Sequence, residues 1–188
     1  MTPAEVLSFW FGEPPAATAR AEWFRKDAAF DASIHARFGA TIDQALAGGL
    51  QHWATTPAGA LARILVLDQF TRNTLRGTAR AFAGDALALA AARALVADGG
   101  HLRLAPLQRW FAYLPFEHAE DMAVQQESLQ LFAALAAEHP ALADAQVWAV
   151  KHAEVVQRFG RYPHRNALLR RVSTAAEQDF LAQPGSSF

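Results

Sequence analysis

Apolar side chains recur every three or four residues along most of this chain. In segment 28–47, one line of apolar side chains runs through Phe30, Ile34, Phe38, Ile42 and Leu46. In segment 117–138, a second line runs through Met122, Gln125, Leu129, Phe132 and Ala136. This spacing is that of one face of an α-helix. The sequence lacks the strict alternation and the Gly-Asn turns that indicate strands, so the pattern predicts an all-α fold.

Two capping boxes mark predicted helix starts. Thr2 and Glu5 form the first, with Pro3 at the first helical position, and Thr174 and Glu177 form the second. In such a box the threonine side chain and the glutamate side chain each bind a backbone N–H that the helix leaves without an acceptor. We therefore expect one helix to begin near each end of the chain.

Proline and glycine residues separate the remaining segments; Gly12 with Pro14-Pro15, for example, ends the first one. The predicted helical segments are 3–11, 19–25, 28–47, 57–75, 85–97, 106–114 with a break at Pro115, 117–138, 141–159 and one that begins after Thr174. Short connections favour antiparallel hairpins, arranged as a bundle or as a TPR-like stack. Because no clean 34-residue repeat is visible, such a stack would be degenerate.

Composition limits the possible classes of protein. The chain has 188 residues, of which 52% are apolar and 19% charged, so we expect a single globular domain over residues 1–188. It has no cysteine, which excludes disulfides, thiolate catalysis and cysteine-ligated metal or iron–sulfur sites. No sequence motif indicates a cofactor.

Charge and hydropathy bear on location and partners. The formal net charge of −1 argues against a general nucleic-acid or anionic-membrane binder. The N-terminus has no basic region before its apolar residues, and the longest apolar run, 86–97, is interrupted by Arg93 and too short to span a bilayer. We expect a cytoplasmic protein without nucleic-acid or membrane partners, whose oligomeric state the sequence leaves open.

Ionisable side chains crowd into segment 151–166. They are Lys151, His152, Glu154, Arg158, Arg161, His164 and Arg165. On helical spacing, one apolar stripe contains Trp148, His152, Val155 and Phe159. Gly160 and Pro163 end the helix, so we expect a loop that carries Arg161, His164, Arg165 and Asn166. A lone histidine on an apolar stripe is more often a hydrogen-bonded core residue than a catalyst, and both interpretations of His152 stay open.

A second polar group continues the apolar face of segment 57–75. It consists of Asp68, Gln69, Arg72, Asn73 and Arg76. Buried charges require partners, so the first interpretation is an Asp–Arg ion pair that holds helices together. The alternative is contact with a ligand.

A third group follows Pro115. His118 and Asp121 lie three residues apart, with Glu117 and Glu120 beside them, and a histidine with a carboxylate on the next turn can ligate zinc, manganese or iron. No HExxH motif is present. The commoner role of such acidic residues is to stabilise the positive N-terminal end of the helix that they begin.

Several sequence blocks together resemble a known bacterial family, domain of unknown function 924. The blocks are VLSFWFGE, WFRKDAAFDASIHARF, LVLDQFTRNTLRGTARAFAGD, YLPFEHAED and KHAEVVQRFGRYPHRN. The resemblance covers about residues 6–188 and implies a fold similar to TPR-like helical proteins; it implies no established activity. Two departures are Thr71, where such sequences often have proline, and Leu169-Arg170-Arg171, where Leu-Gly-Arg is expected.

Three functional hypotheses follow. The first is a binding protein whose pocket takes a small anionic molecule or an acidic peptide terminus. Its predicted ligand-binding residues are Asp68, Arg72, Arg76, Arg158, Arg161, His164, Arg165 and Asn166, with His118 and His152 lining the same pocket. This pocket requires the loop after segment 141–159 to meet the end of segment 57–75.

The second hypothesis is a hydrolase-type enzyme in that pocket, with His118 or His152 as general base and Glu117 or Asp121 orienting it. His118 and Asp121 are weak candidates for a metal site. The third hypothesis is an adaptor in which every ion pair is structural.

Overall fold

The computed structural model describes residues 1–12 and 20–186, and every regular element in this part of the chain is helical. The α-helices are α1 (Pro3–Phe11), α2 (Ala28–Leu46), α3 (Pro57–Leu65), α4 (Thr71–Thr74), α5 (Asp85–Ala97), α6 (Pro106–Glu117), α7 (Met122–Glu138), α8 (Ala143–Phe159) and α9 (Ala175–Leu181). The all-α prediction is confirmed. Pro14 and Pro15, expected to end the first helix, lie outside the described residues.

Both predicted capping boxes form. The Thr2 hydroxyl accepts from the backbone N–H of Glu5 at 3.3 Å, and the Glu5 carboxylate accepts from the backbone N–H of Thr2 at 2.7 Å. Thr174 and Glu177 repeat the arrangement at 3.2 and 2.7 Å. These local signals fix the N-terminal ends of α1 and α9.

The chain divides into two compact units. The first unit is Met1–Arg76 with Arg80–Pro115, and the second is Gly77–Ala79 with Phe116–Phe188. The expected single domain stays a prediction. Among the described residues, no helix is both long and apolar enough to cross a membrane.

Aromatic rings fill the core of the first unit. Trp10 stacks on Trp23 with ring centroids 5.9 Å apart, and Trp23 meets Phe111 edge-on at 4.8 Å. Phe38 and Phe70 pack at 4.9 Å. Such pairs contribute specific geometry in addition to buried apolar area, so they fix how α1, α2 and α6 pack within this unit.

A π-helical turn, Val66–Phe70, joins α3 to α4, and all five of its residues are buried. The predicted helix 57–75 therefore runs on as expected, but with one wider turn inside it. The N-terminus of α5 approaches this turn closely. A Cβ atom added to Gly84 would lie 2.0 Å from the carbonyl oxygen of Leu67, so only glycine fits there.

Two predicted helix boundaries are wrong. The break expected at Pro115 does not occur, because α6 continues through it to Glu117, where the residues on either side, Leu114 and Phe116, are buried. The next helix starts at Met122 rather than at Glu117, because the Asp121 side chain caps it by accepting from two backbone N–H groups at 2.7 and 3.2 Å.

In the second unit, α8 packs against α7 and buries an inner face of mostly small residues: Ala145, Ala149, His152, Ala153, Val155 and Val156. The expected apolar stripe is wrong at one position, because Trp148 is 47% exposed. Ala145, Ala149 and Ala153 occupy buried positions of the helix, and Trp148 lies outside that buried line. Gly160 ends the helix with φ 69°, as predicted.

The chain after α8 contains a residue with unfavourable backbone geometry. Arg170 has φ 55°, in the left-handed region that costs a non-glycine residue about 1–2 kcal/mol. This is the position where the family resemblance leads us to expect glycine. The departure from the family pattern therefore stores backbone strain.

Candidate functional site

A largely buried polar cluster lies in the second unit, and we call it the Tyr162 cluster. Its members are Glu117, His118, Gln125, His152, Tyr162, His164 and Arg165. Glu117 ends α6, Gln125 lies on α7, His152 lies on α8, and the last three lie in the segment after α8. Four separate stretches of the chain therefore contribute to the cluster.

Tyr162 lies at the centre of the cluster and is fully buried. Its hydroxyl donates to the backbone carbonyl of Glu117 and accepts from the Gln125 side-chain amide at 2.9 Å. The same amide donates to the carbonyl oxygens of Glu117 and Ala119 at 2.8 and 2.7 Å. Burial raises the pKa of Tyr162, so its hydroxyl stays protonated and remains a donor.

Glu120 and Arg171 fix the backbone around Tyr162. The Glu120 carboxylate accepts from the backbone N–H of Tyr162 at 2.7 Å and from the Arg171 guanidinium at 2.9 Å. Burial alone would raise the pKa of Glu120, but the hydrogen bonds from Arg171 and Tyr162 outweigh it and lower the pKa. Glu120 is thus an ionised anchor for this loop.

His152 is a buried base of the cluster. Its Nδ1 lies 2.9 Å from the carbonyl oxygen of Trp148 and 3.2 Å from Oε1 of Glu117. A carbonyl oxygen requires a donor, so Nδ1 carries the proton. Burial lowers the pKa of His152 to about 3, and the neighbouring His118 adds to the shift, against the opposing effect of the Trp148 carbonyl. The ring is therefore neutral at physiological pH.

Rings and one guanidinium surround Tyr162. The His152 ring centroid lies 5.6 Å from that of Tyr162, the His164 centroid 5.7 Å from it, and His118 lies 6.2 Å from His152. The Arg165 guanidinium carbon lies 4.5 Å above the Tyr162 ring, a stacked geometry that arginine favours. Three imidazoles and a guanidinium thus converge within one unit.

Other predicted site residues of this unit have structural partners. Arg161 donates to the Glu177 carboxylate at 2.6 and 2.8 Å, and this contact lowers the pKa of Glu177 to about 2. Asn166 is buried, donates to the Ser173 hydroxyl at 3.0 Å and accepts from Arg171 at the same distance. These contacts hold the loop itself.

Arg158 is exposed, and its guanidinium carbon lies 4.7 Å from the Phe159 ring centroid. Asp121 caps α7, and the residues that the structure describes include no group of three histidine, aspartate, glutamate or cysteine side chains arranged to hold a metal ion.

The predicted residues of the first unit form an ion-pair network. Arg72 contacts Asp68 and Asp85, each at 2.9 Å, and Asp68 is fully buried. Arg76 contacts Asp31 at 3.2 Å. Each guanidinium therefore has a carboxylate within the unit, as the structural interpretation of this group requires. That this segment meets the loop after α8 stays a prediction.

Tyr162 and Gln125 are not among the site residues that the sequence predicts. Gln125 occupies an apolar line of α7, and a polar residue on such a line indicates a buried hydrogen-bond network. Tyr162 lies inside the block RFGRYPHRN that carries the family resemblance. Both signals were visible, but neither identifies the partner.

Comparison with known proteins agrees with the resemblance. No curated protein matches the chain. The solved structure of a protein of unknown function from Agrobacterium tumefaciens is similar, with a TM-score of 0.84, 38% sequence identity and 96% of each chain covered. The profile described as bacterial protein of unknown function (DUF924) matches residues 6–185. This chain belongs to that bacterial family.

Proposed function

We propose that the protein binds a small anionic molecule, such as a phosphate or carboxylate compound or an acidic peptide terminus, at the Tyr162 cluster. The supporting observation is the convergence of His152, His164 and Arg165 around one buried tyrosine, with His118 beside His152. The cluster as defined has one carboxyl side chain, Glu117, and the nearby Glu120 is engaged by Arg171.

Guanidinium and imidazole groups suit this ligand class for separate reasons. The planar guanidinium of Arg165, stacked on Tyr162, presents paired N–H donors that match a carboxylate or a phosphate. An imidazole near a bound anion gains a proton more easily, because the opposite charge favours its charged form. Binding should therefore tighten as the pH falls.

Isothermal titration calorimetry with inorganic phosphate and with succinate, at about pH 6 and about pH 8, tests this proposal. We expect binding by the wild type, tighter at the lower pH, and at least about tenfold weaker binding by His164→Gln. Arg165→Gln should show the same loss of affinity. Because His164 is only half-buried, His164→Gln tests the site even if Arg165→Gln fails to fold.

Arg158, which the sequence predicted as a ligand-binding residue, is exposed and lies outside the Tyr162 cluster as defined. Arg158→Gln is therefore the matched control and should bind as the wild type does. Equal affinity in all four proteins, or no heat with either anion, would remove the Tyr162 cluster as an anion site.

One contact favours an enzyme as the second candidate. The Glu117 carboxyl group lies 3.2 Å from Nδ1 of His152, the arrangement that orients an imidazole to act as a general base. A base with a pKa of about 3 is weak near neutral pH, so we place this candidate second. Hydrolysis of a generic phosphate ester or carboxylic ester, abolished in His152→Asn, would favour it.

We also propose a TPR-like architecture and a cytoplasmic location without nucleic-acid partners. The α7–α8 hairpin supports a TPR-like stack, and the net charge of −1 supports the absence of nucleic-acid partners. We propose a cytoplasmic location because the chain has no cysteine. Fractionation of cells that produce the protein tests the location.

A further inference from the structure

The outer face of α8 exposes an unusual group of apolar side chains. Val147, Trp148 and Val150 are 51%, 47% and 40% exposed. A shallow surface groove includes the two valines and is lined by Gln146, Val147, Val150, Lys151 and Glu154. Large apolar side chains exposed singly are ordinary, but three within one helical turn form a patch that indicates an interaction surface.

Two opposite charges border this patch. Asp144 and Lys151 are exposed on α8, and neither forms an ion pair with any side chain in residues 1–12 or 20–186. They lie on the same edge of the outer face, seven residues apart, which is roughly 10 Å along the helix. This separation exceeds the three or four residues over which side chains pair within a helix.

We propose that α8 pairs with α8 of a second copy of this chain, antiparallel, about a twofold axis near Val147 and Trp148. In that register Lys151 of each copy lies at the level of Asp144 in the other, so two ion pairs form. Val147 and Val150 of both copies pack between the pairs. The patch is thus self-complementary, as a twofold interface requires.

Lys151 is already directed toward the edge that carries Asp144. Its ammonium lies 4.2 Å above the Trp148 ring, and Trp148 lies beyond Lys151 on that side of the helix. The cation–π contact reduces the freedom of a long side chain. The charged group is therefore held beside the patch, where the partner's carboxylate would arrive.

The N-terminus of α8 offers a further complementary feature. No side chain caps this helix, and the preceding turn takes up the backbone N–H of Ala143 through the Pro140 carbonyl. The partial positive charge of the helix dipole remains at this end, where Asp144 is the acidic residue of the first turn. In the same register, Glu154 lies close to the level at which the other copy's α8 begins. A carboxylate in that position stabilises a helix N-terminus. Glu154, the acidic residue of the groove, would therefore also favour the dimer.

The proposed interface is small. One helix pair lies at or below the lower end of specific interfaces, about 1,200 Å², so the dimer should be weak and concentration-dependent. The net charge of −1 leaves little repulsion between copies. Because the dimer is weak, the loss of two ion pairs should be enough to make the protein monomeric.

Sedimentation equilibrium over a wide range of concentrations tests the proposal by charge exchange. We expect the wild-type mass to rise with concentration toward twice the monomer mass. In a dimer of either single variant, Asp144→Lys or Lys151→Asp, like charges would face each other at both ion-pair positions. Each single variant should therefore stay monomeric. The double variant Asp144→Lys/Lys151→Asp restores opposite charges and should regain the dimer. Asp179→Lys, the same charge change on α9, should behave as the wild type.

Far-UV circular dichroism of every variant checks that the fold is kept. Three results would overturn the proposal: a wild type that is monomeric at every concentration, a dimer that neither single variant weakens, or a double variant that stays monomeric like the single ones. None of these results bears on anion binding at the Tyr162 cluster, so the two proposals fail separately.

Discussion

The buried imidazole of His152 should make the stability of the fold depend on pH. Its pKa is lowered from 6.5 to about 3, so the native protein keeps it neutral where the unfolded chain protonates it. A group with a depressed pKa in the folded state contributes its full stability above its unfolded pKa. That contribution is lost as the pH falls below 6.5, because protons then favour the unfolded chain.

The size of the effect follows from the two pKa values. Between pH 7 and pH 5 the unfolded imidazole becomes almost fully protonated, while the native one stays neutral. Linkage at about 1.36 kcal/mol per pH unit then gives a loss of about 2 kcal/mol over this interval. The carboxylates titrate mainly below pH 5, so the interval isolates the histidines.

Urea unfolding at the two pH values measures this loss. His152→Asn keeps an N–H near the position of Nδ1 and removes the titrating ring. We expect its free energy of unfolding to fall by about 2 kcal/mol less than that of the wild type between pH 7 and pH 5. His35→Asn, which removes an exposed imidazole on α2, is the control. The same pH dependence in the wild type and His152→Asn would refute the reasoning.

Three other substitutions test packing and strain by the free energy of unfolding in urea. Arg72→Ala leaves the fully buried Asp68 without its guanidinium and should destabilise the fold by about 2–4 kcal/mol; a midpoint equal to the wild type would mean that the pair is solvated. Gly84→Ala places a Cβ 2.0 Å from the Leu67 carbonyl oxygen and should cost about 3 kcal/mol, whereas a neutral result would mean that the two segments can separate freely. Arg170→Gly relieves a left-handed backbone and should stabilise by about 1 kcal/mol; destabilisation would show that the arginine side chain outweighs the strain.

Local signals were sufficient to predict much of the fold. The capping boxes at Thr2 and Thr174 and the terminal Gly160 act within a few residues, and the structure forms all of them. Local signals did not predict the exposure of Trp148. Helical spacing places Trp148 on the same stripe as His152. Spacing alone does not show that the neighbouring stripe, which contains Ala145, Ala149 and Ala153, is buried instead.

The candidate site was harder to predict because its contacts are distant in sequence. The Tyr162 hydroxyl donates to the carbonyl of Glu117, which is 45 residues away in the sequence. Arg161 donates to Glu177, which is 16 residues away in the sequence. The sequence indicated that arginines gather in this loop, but not which groups each of them contacts. Tertiary packing alone determines that Arg165 stacks on Tyr162 and that Arg161 binds the Glu177 carboxylate.

The wide turn at Val66–Phe70 has a consequence for the history of this chain. An α-helix that gains one residue must rotate everything beyond the insertion by about 100°, whereas a π-turn absorbs the extra residue and leaves both flanking faces where they were. Loss of one residue from 66–70 would return the turn to regular α-helix with Thr71–Thr74 still facing the same way. Relatives whose sequences are one residue shorter here can therefore share the fold, and a single-residue gap in an alignment at this place would mark no change of architecture.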